Sequence, residues 1–436
     1  MWVKYSLILE RSIMSVSKIS FLCSLFLVLF SPQVLLGQND SPYEREYSVM
    51  NYGSAQLRDA VTALQARMNA GEVSLEFNAE RGYLDAALDA LGISSTSQLL
   101  VFSRTSLQQP LISPQSPRAI YFNDYTYVAW VQESGLLEVA TMDPNLGPIF
   151  FTLGQIESEK PQFNREFRTC LRCHDSLSLT GGGTPRFMMS SNYTGVAGQL
   201  VSHEGSIMTT SRTPLSSRWG GWYVTGFHGE QRHLGNVFIQ TADDISDENL
   251  AATGNRESLE GLPQIEPYIT PYSDIVALLV IEHQIEIQNK IARTNFYART
   301  LLEEQELDAA EVEEALDVLT EELLESLFMV GQPALIDIVE GTSGFTAEFE
   351  SSGPKDSQGR SMRDLDLQQR LFKYPLSYLV YSNAYKSLPE QIKERVATRM
   401  EEILTSNGSN DDYEHLSSED RRAISEILIE TNWSDE

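Results

Sequence analysis

Apolar and polar residues follow four successive patterns along the chain, with bounds at 1–37, 38–153, 154–272 and 273–436. The first region contains a short apolar run, ISFLCSLFLVLF at 19–30, after Lys18 and before Ser31-Pro32. A basic residue, a short apolar core and small residues are typical of a secretory signal peptide. A stable membrane-spanning helix needs about 20 apolar residues. We therefore expect residues 1–37 to be a signal peptide that starts at Met1 or Met14, with an uncleaved anchor as the alternative.

The second region, 38–153, predicts one helix followed by a small sheet. Apolar residues recur at helical spacing over 57–68, and short β-rich runs begin near residue 98. The short segments at 123–124 and 133–135 are typical of hairpin turns between such runs. We expect an antiparallel meander, with strands at 99–103, 119–122, 125–131, 136–140 and 148–152.

The third region is rich in glycine, serine and proline, and the fourth is helical. Residues 154–272 offer few strand candidates, such as 222–227, and a long irregular segment of this kind is usually functional. Residues 274–299 and about 302–329 read as long helices, and the second has many carboxylates on a face expected to be solvated. Two further helices open at Ser387 and Ser417 with sequences that resemble capping boxes. The predicted fold class is α+β.

Net charge restricts the possible partners. The chain has 61 acidic and 32 basic residues and a formal charge of −29 at pH 7. Nucleic acid is an unfavourable partner because its phosphates would be repelled. No second long apolar segment follows residue 30, so we expect no membrane span after signal cleavage and a periplasmic or otherwise exported location. A redox partner, if one exists, would more naturally be basic.

One motif carries recognisable chemistry. The cysteines outside the predicted signal peptide are Cys170 and Cys173, and His174 follows them directly. Cys-x-x-Cys-His is the attachment motif of c-type haem: two thiols bind the porphyrin vinyl groups and the histidine ligates iron. A redox disulfide and a zinc site completed by His228 and His233 are the alternatives. We expect one covalent haem c, held by Cys170 and Cys173, with His174 as the proximal axial ligand.

The second axial ligand is less defined by the sequence. We favour His233, with His228 and His283 as alternatives. Arg218, Trp219 and Trp222 lie shortly before His228 and are candidates for the haem pocket, since tryptophan offers flat apolar surface and arginine pairs with carboxylates. Other candidate ligands are His203, Met188, Met189 and Met208.

Several segments resemble a family of exported bacterial proteins with a cytochrome c domain. The matching segments are VFSRTSLQQPLISPQSPRAIYFND (101–124), CLRCHDS (170–176), RWGGWYVTGFHGEQRHLGN (218–236), DIVALLVIEHQ (274–284) and RLFKYPLSYLVYS (370–382). The resemblance implies one haem bound through Cys170, Cys173 and His174, and it brings forward the three histidines at 228, 233 and 283.

Two functions follow from these expectations. An exported single-haem protein with both axial positions filled would transfer electrons. A peroxidase- or oxidase-like enzyme would instead keep the distal side open, with Arg232 and His233, or Glu282 and His283, as acid and base.

Overall fold

The computed structural model of the protein describes residues 49–201, 205–303, 307–406 and 411–433. The predicted signal peptide and His203 lie outside the described residues. The observed architecture is α+β, as expected: an antiparallel sheet precedes the motif and helices dominate the C-terminal half.

The sheet has six strands, and each strand pairs with the next one along the chain. They are β1 (Leu99–Val101), β2 (Arg118–Phe122), β3 (Thr126–Trp130), β4 (Leu136–Asp143), β5 (Gly147–Gly154) and β6 (Phe163–Arg165). The β2–β3 turn is closed by Asn123, whose side-chain oxygen accepts from the backbone N–H groups of Tyr125 and Thr126. The predicted meander is confirmed, and β6 extends it beyond residue 153.

Helices cover both faces of this sheet. One face is apolar and fully buried, with Tyr121, Val128 and Leu137 among its residues. Helices α1 (Ala60–Asn69) and α2 (Leu84–Leu91) contact strands of the sheet. On the opposite face the Tyr127 hydroxyl donates to Gln288 on the longest helix, at 2.6 Å.

The remaining helices of the described residues follow the sheet. They are α3 (Arg168–His174), α4 (Leu177–Thr180), α5 (Asp247–Gly254), α6 (Ile275–Glu303), α7 (Ala309–Leu327), α8 (Phe345–Ser351), α9 (Asn383–Lys386), α10 (Glu390–Thr405) and α11 (Ser418–Glu430). A small ribbon pairs β7 (Ser190–Asn192) with β8 (Ser206–Met208). None of the helices in the described ranges is long and apolar enough to cross a membrane.

Helix α6 is the central element of the C-terminal half. Its 29 residues are buried along most of their length, and α6 packs on α7 and on β5. Asp274 lies directly before α6, and its carboxylate accepts backbone N–H groups from the first turn and from Thr342 and Ser343.

Two local expectations were wrong, and a third needs an addition. The acidic face of α7 is solvent-accessible as expected, and Arg395 and Arg399 of α10 pair with two of its carboxylates. Helix α10 has Pro389 at its N-cap and no side-chain cap, so Ser387 does not form a capping box, whereas Ser417 of α11 does. Residues 222–227 form isolated bridges to four different segments and not a strand, since the partner changes at almost every residue.

Candidate haem-attachment site

The motif residues share one face of a short helix. Cys170, Cys173 and His174 lie at positions i, i+3 and i+4 of α3, so their side chains project from the same side. Cys170 is half-buried, Cys173 is exposed, and both are free thiols. The arrangement places two thiols and an imidazole on one side of the helix, as the attachment of a single planar ligand would require.

His174 is held by one neighbouring residue at two points. Its Nδ1 lies 2.7 Å from the carbonyl oxygen of Arg186, and the Arg186 N–H donates to the His174 carbonyl at 2.8 Å. The ring packs against Phe150 of β5 with 4.4 Å between ring centroids. Bonding to a carbonyl places the ring proton on Nδ1, which leaves the Nε2 lone pair for a metal. Burial lowers the pKa of His174, which favours the neutral imidazole that metal binding requires.

The environment of Cys170 does not favour a redox disulfide. Burial, followed by the nearby carboxylates Glu138 and Glu166, raises the pKa of the Cys170 thiol to about 12. Redox-active cysteines have lowered pKa values because a positive environment stabilises their thiolate. The Cys170 thiol is in the opposite situation.

The structure also does not support the alternative of a zinc site, because too few of the described ligand side chains meet at one point. A zinc site needs about four ligands around one point. Within the ranges that the structure describes, no three His, Cys, Asp or Glu side chains form a group that could hold a metal ion.

His228 and His233 contact each other. Their rings are 4.7 Å apart in an edge-to-face arrangement, and each residue is 1% exposed. The Gly235 N–H donates to Nδ1 of His233 at 2.9 Å, so the neutral ring carries its proton on Nε2. His233 would have to break this bond to ligate iron through Nε2. Burial lowers the pKa of His233 to about 3.

Contacts with helix α6 locate this histidine pair and the motif along the helix axis. Phe187, next to Arg186, exchanges two hydrogen bonds with the side chain of Asn289. Thr225, shortly before His228, exchanges backbone hydrogen bonds with Ser273 and Ile275, at the start of the same helix. Thr225 and Phe187 thus lie about 20 Å apart along the helix, which is fourteen residues at a rise of 1.5 Å. Arg218, whose carbonyl accepts from the N–H next to His233, pairs with Glu282, which is seven residues or about 10 Å from Asn289. The structure thus adds no support for His228 or His233 as the second ligand, which stays a prediction.

The other predicted site residues make contacts of their own. Arg218 forms a buried ion pair with Glu282 on α6, with 2.9 Å between Nη1 and Oε2. Trp219 packs against His233 at 5.3 Å, and the Trp222 indole N–H donates to the Ser190 carbonyl. Arg218 therefore joins the middle region to α6, whereas these contacts of Trp219 and Trp222 lie within the middle region.

The acid and base pairs considered above are not paired in the structure. Arg232 forms an ion pair with Asp247, with 3.0 Å between Nε and Oδ1. His233 is buried. His283 lies with Nε2 at 2.8 Å from the Ser377 hydroxyl, and its neighbour Glu282 binds Arg218. Each member has a different partner.

Sequence reasoning missed the residues that surround His174. Arg186 and Phe150 contact it directly, and Arg118 and Glu138 act on it electrostatically. No local motif marks these residues, because strand register and a loop bring them to α3. A signal existed only for Glu138, a charged residue within a predicted strand, and for Arg118, which directly precedes one.

The residues around α3 fit a covalent haem. The helix supplies two thiols and an oriented imidazole, and buried atoms nearby lack hydrogen bonds, among them Nε of Arg118 and Oδ1 of Asp175. Comparisons with known proteins do not identify the chain: no protein-family model, no curated protein and no solved structure matches it.

Proposed function

We propose that the protein is an exported, single-haem c-type electron-transfer protein. The observation that carries the proposal is the common face of Cys170, Cys173 and His174, together with the bond between His174 Nδ1 and the Arg186 carbonyl. A hydrogen bond from the Nδ1–H group to a carbonyl oxygen orients an axial histidine and fixes its tautomer.

Each part of the motif has a defined role in this proposal. Cys170 and Cys173 would hold the haem through thioether bonds, and His174 would ligate the iron through Nε2. The bound haem would supply reversible one-electron oxidation and reduction. Phe150 and Arg186 would keep the imidazole from rotating, because the ring is fixed by packing on one side and by a hydrogen bond on another.

The first experiment tests covalent attachment. We would express the full chain in a bacterial host with haem-attachment machinery, and measure haem staining on denaturing gels, intact mass and the haemochrome spectrum. We expect one haem per chain, lost in Cys170→Ser/Cys173→Ser. Cys23→Ser is the matched control and should keep the haem, because Cys23 lies in the predicted signal peptide. Absence of haem from the wild-type chain would refute the proposal.

The second experiment separates electron transfer from enzyme chemistry. Absorption spectra of the reduced protein would be recorded with and without carbon monoxide. A low-spin spectrum that does not respond to carbon monoxide indicates two axial protein ligands and supports electron transfer. A spectrum that shifts would show an accessible iron and would replace electron transfer by a peroxidase- or oxidase-like activity.

A further inference from the structure

An ion pair lies on the side of the sheet that carries the motif. Arg118 of β2 and Glu138 of β4 are joined across the intervening strand, with 3.1 Å between Nη1 and Oε2. Ala129 of β3 lies opposite Glu138, and its small methyl group leaves room for the two long side chains above it. Both charged side chains remain partly accessible, at 16% and 21%.

Strand register places this pair beside His174. Glu138 lies directly opposite Thr152 of β5, and Phe150 is two residues further along the same strand. Diagonal neighbours of this kind are about 7–8 Å apart. Phe150 packs on the ring of His174, so Glu138 is one side chain away from the motif. The electrostatic effect of Arg118 and Glu138 on His174 agrees with this placement.

Two polar atoms of this ion pair lack hydrogen-bond partners. Nε of Arg118 and Oε1 of Glu138 are buried and make no hydrogen bond. A guanidinium has five N–H donors and prefers planar carboxylates, to which it can donate two parallel bonds. By contrast, the guanidinium of Arg165 donates to the carbonyls of Tyr52 and Gly53. Arg118 therefore keeps donor capacity for a carboxylate ligand.

We propose that Arg118 binds a propionate carboxylate of the haem attached at α3, and that Glu138 positions the Arg118 guanidinium for this contact. The inference rests on the proposed function, because it requires the haem. It assigns this sheet face, around Ala129, as part of the haem pocket.

Resonance Raman spectroscopy of the holoprotein tests the contact directly. The bending vibration of the haem propionates reports hydrogen bonding to their carboxylates, which reduced stability alone would not change. We expect this band to move to lower frequency in Arg118→Gln, with a smaller shift in Arg118→Lys, which keeps the charge but loses the fork. Glu138→Gln should give a small shift, because the guanidinium remains but is less firmly held.

Arg232→Gln is the matched control. Arg232 also forms an ion pair with a carboxylate, at 3.0 Å, but beside α5 and not at the sheet. Its propionate band should equal that of the wild type. The reduction potential provides a second measurement: removing the positive charge of Arg118 should lower it, and removing the negative charge of Glu138 should raise it.

The possible outcomes distinguish the two proposals. If haem attaches and both Arg118 variants keep the wild-type propionate band, the contact with Arg118 is wrong and the haem proposal stands. If the wild-type chain carries no haem, both fail. If Arg118→Gln does not fold, Arg118→Lys and Glu138→Gln decide, since both retain side-chain size.

Discussion

Removing the carboxylate of Glu282 is predicted to destabilise the fold strongly. Glu282 is 1% exposed, and its Oε2 lies 2.9 Å from Nη1 of Arg218, which is 6% exposed. Glu282→Ala would leave the guanidinium in the interior with only the carbonyls of Thr213 and Ser211 as acceptors. Breaking one partner of a buried ion pair costs about 3–5 kcal/mol. Folded domains are stable by about 5–15 kcal/mol, so the loss is a large fraction of the total.

Glu402→Ala provides a control with the same substitution in another helix. Glu402 of α10 is also 2.9 Å from its arginine, Arg399, but its side chain is 59% exposed. Exposed pairs contribute about 0–1 kcal/mol. Urea unfolding followed by circular dichroism would give both free energies. We expect burial, and not the distance between the charged atoms, to determine how much stability is lost. Similar decreases in the free energy of unfolding of the two variants would therefore refute this explanation.

A double variant tests the same reasoning from the opposite direction. Arg218→Met/Glu282→Leu removes both buried charges and keeps similar volumes. Replacing a buried pair by apolar side chains is often neutral or stabilising. We expect the double variant to be more stable than Glu282→Ala, and a double variant that is less stable would contradict this account.

Three further predictions concern stability. Burial lowers the pKa of His233 and of His283 to about 3, so below pH 6.5 the unfolded chain binds protons that the folded chain does not. As pH falls, each histidine should reduce the free energy of unfolding by about 1.4 kcal/mol per pH unit. Asp175, whose pKa burial raises to about 6, acts in the opposite direction between pH 6 and 3.8. Urea unfolding measured over this pH range should show that the free energy of unfolding depends less steeply on pH in His283→Gln. Ser417→Ala removes the α11 cap and should cost about 1 kcal/mol in the same assay, whereas an unchanged midpoint would contradict the cap. Gly221→Ala should lower the melting temperature, because Gly221 has a φ of 82° and a Cβ there would lie 2.6 Å from side-chain atoms of two neighbours.

The sheet and the long helices could be predicted because their signals are local. Strands β2 to β5 alternate or run apolar between recognisable turns, and Ser417 begins α11 with a capping box as expected. Strand β6 has only three residues, too few for a pattern to appear. The cations that pair with the acidic face of α7 come from α10, about 80 residues later, and no local window contains both.

The same limit applies to the candidate site. Cys170, Cys173 and His174 are found from sequence because their chemistry depends on adjacent positions in one helix. Arg218 was expected to pair with a haem carboxylate, and in the structure it pairs with Glu282. Both roles require an arginine near a carboxylate, so residue type cannot distinguish them. Only the packing of the middle region on α6 does so.

A series of paired hydrogen bonds connects the motif to the centre of the fold and gives the large helical region a role at the site. The side chain of Asn289 on α6 exchanges two hydrogen bonds with the backbone of Phe187. The neighbouring Arg186 in turn bonds the ring and the carbonyl of His174. Helix α3 has seven residues and no side-chain N-cap, so it cannot fix the orientation of His174 by itself. Its position depends on the 186–187 segment, and that segment depends on α6, which is buried between the sheet and the C-terminal helices.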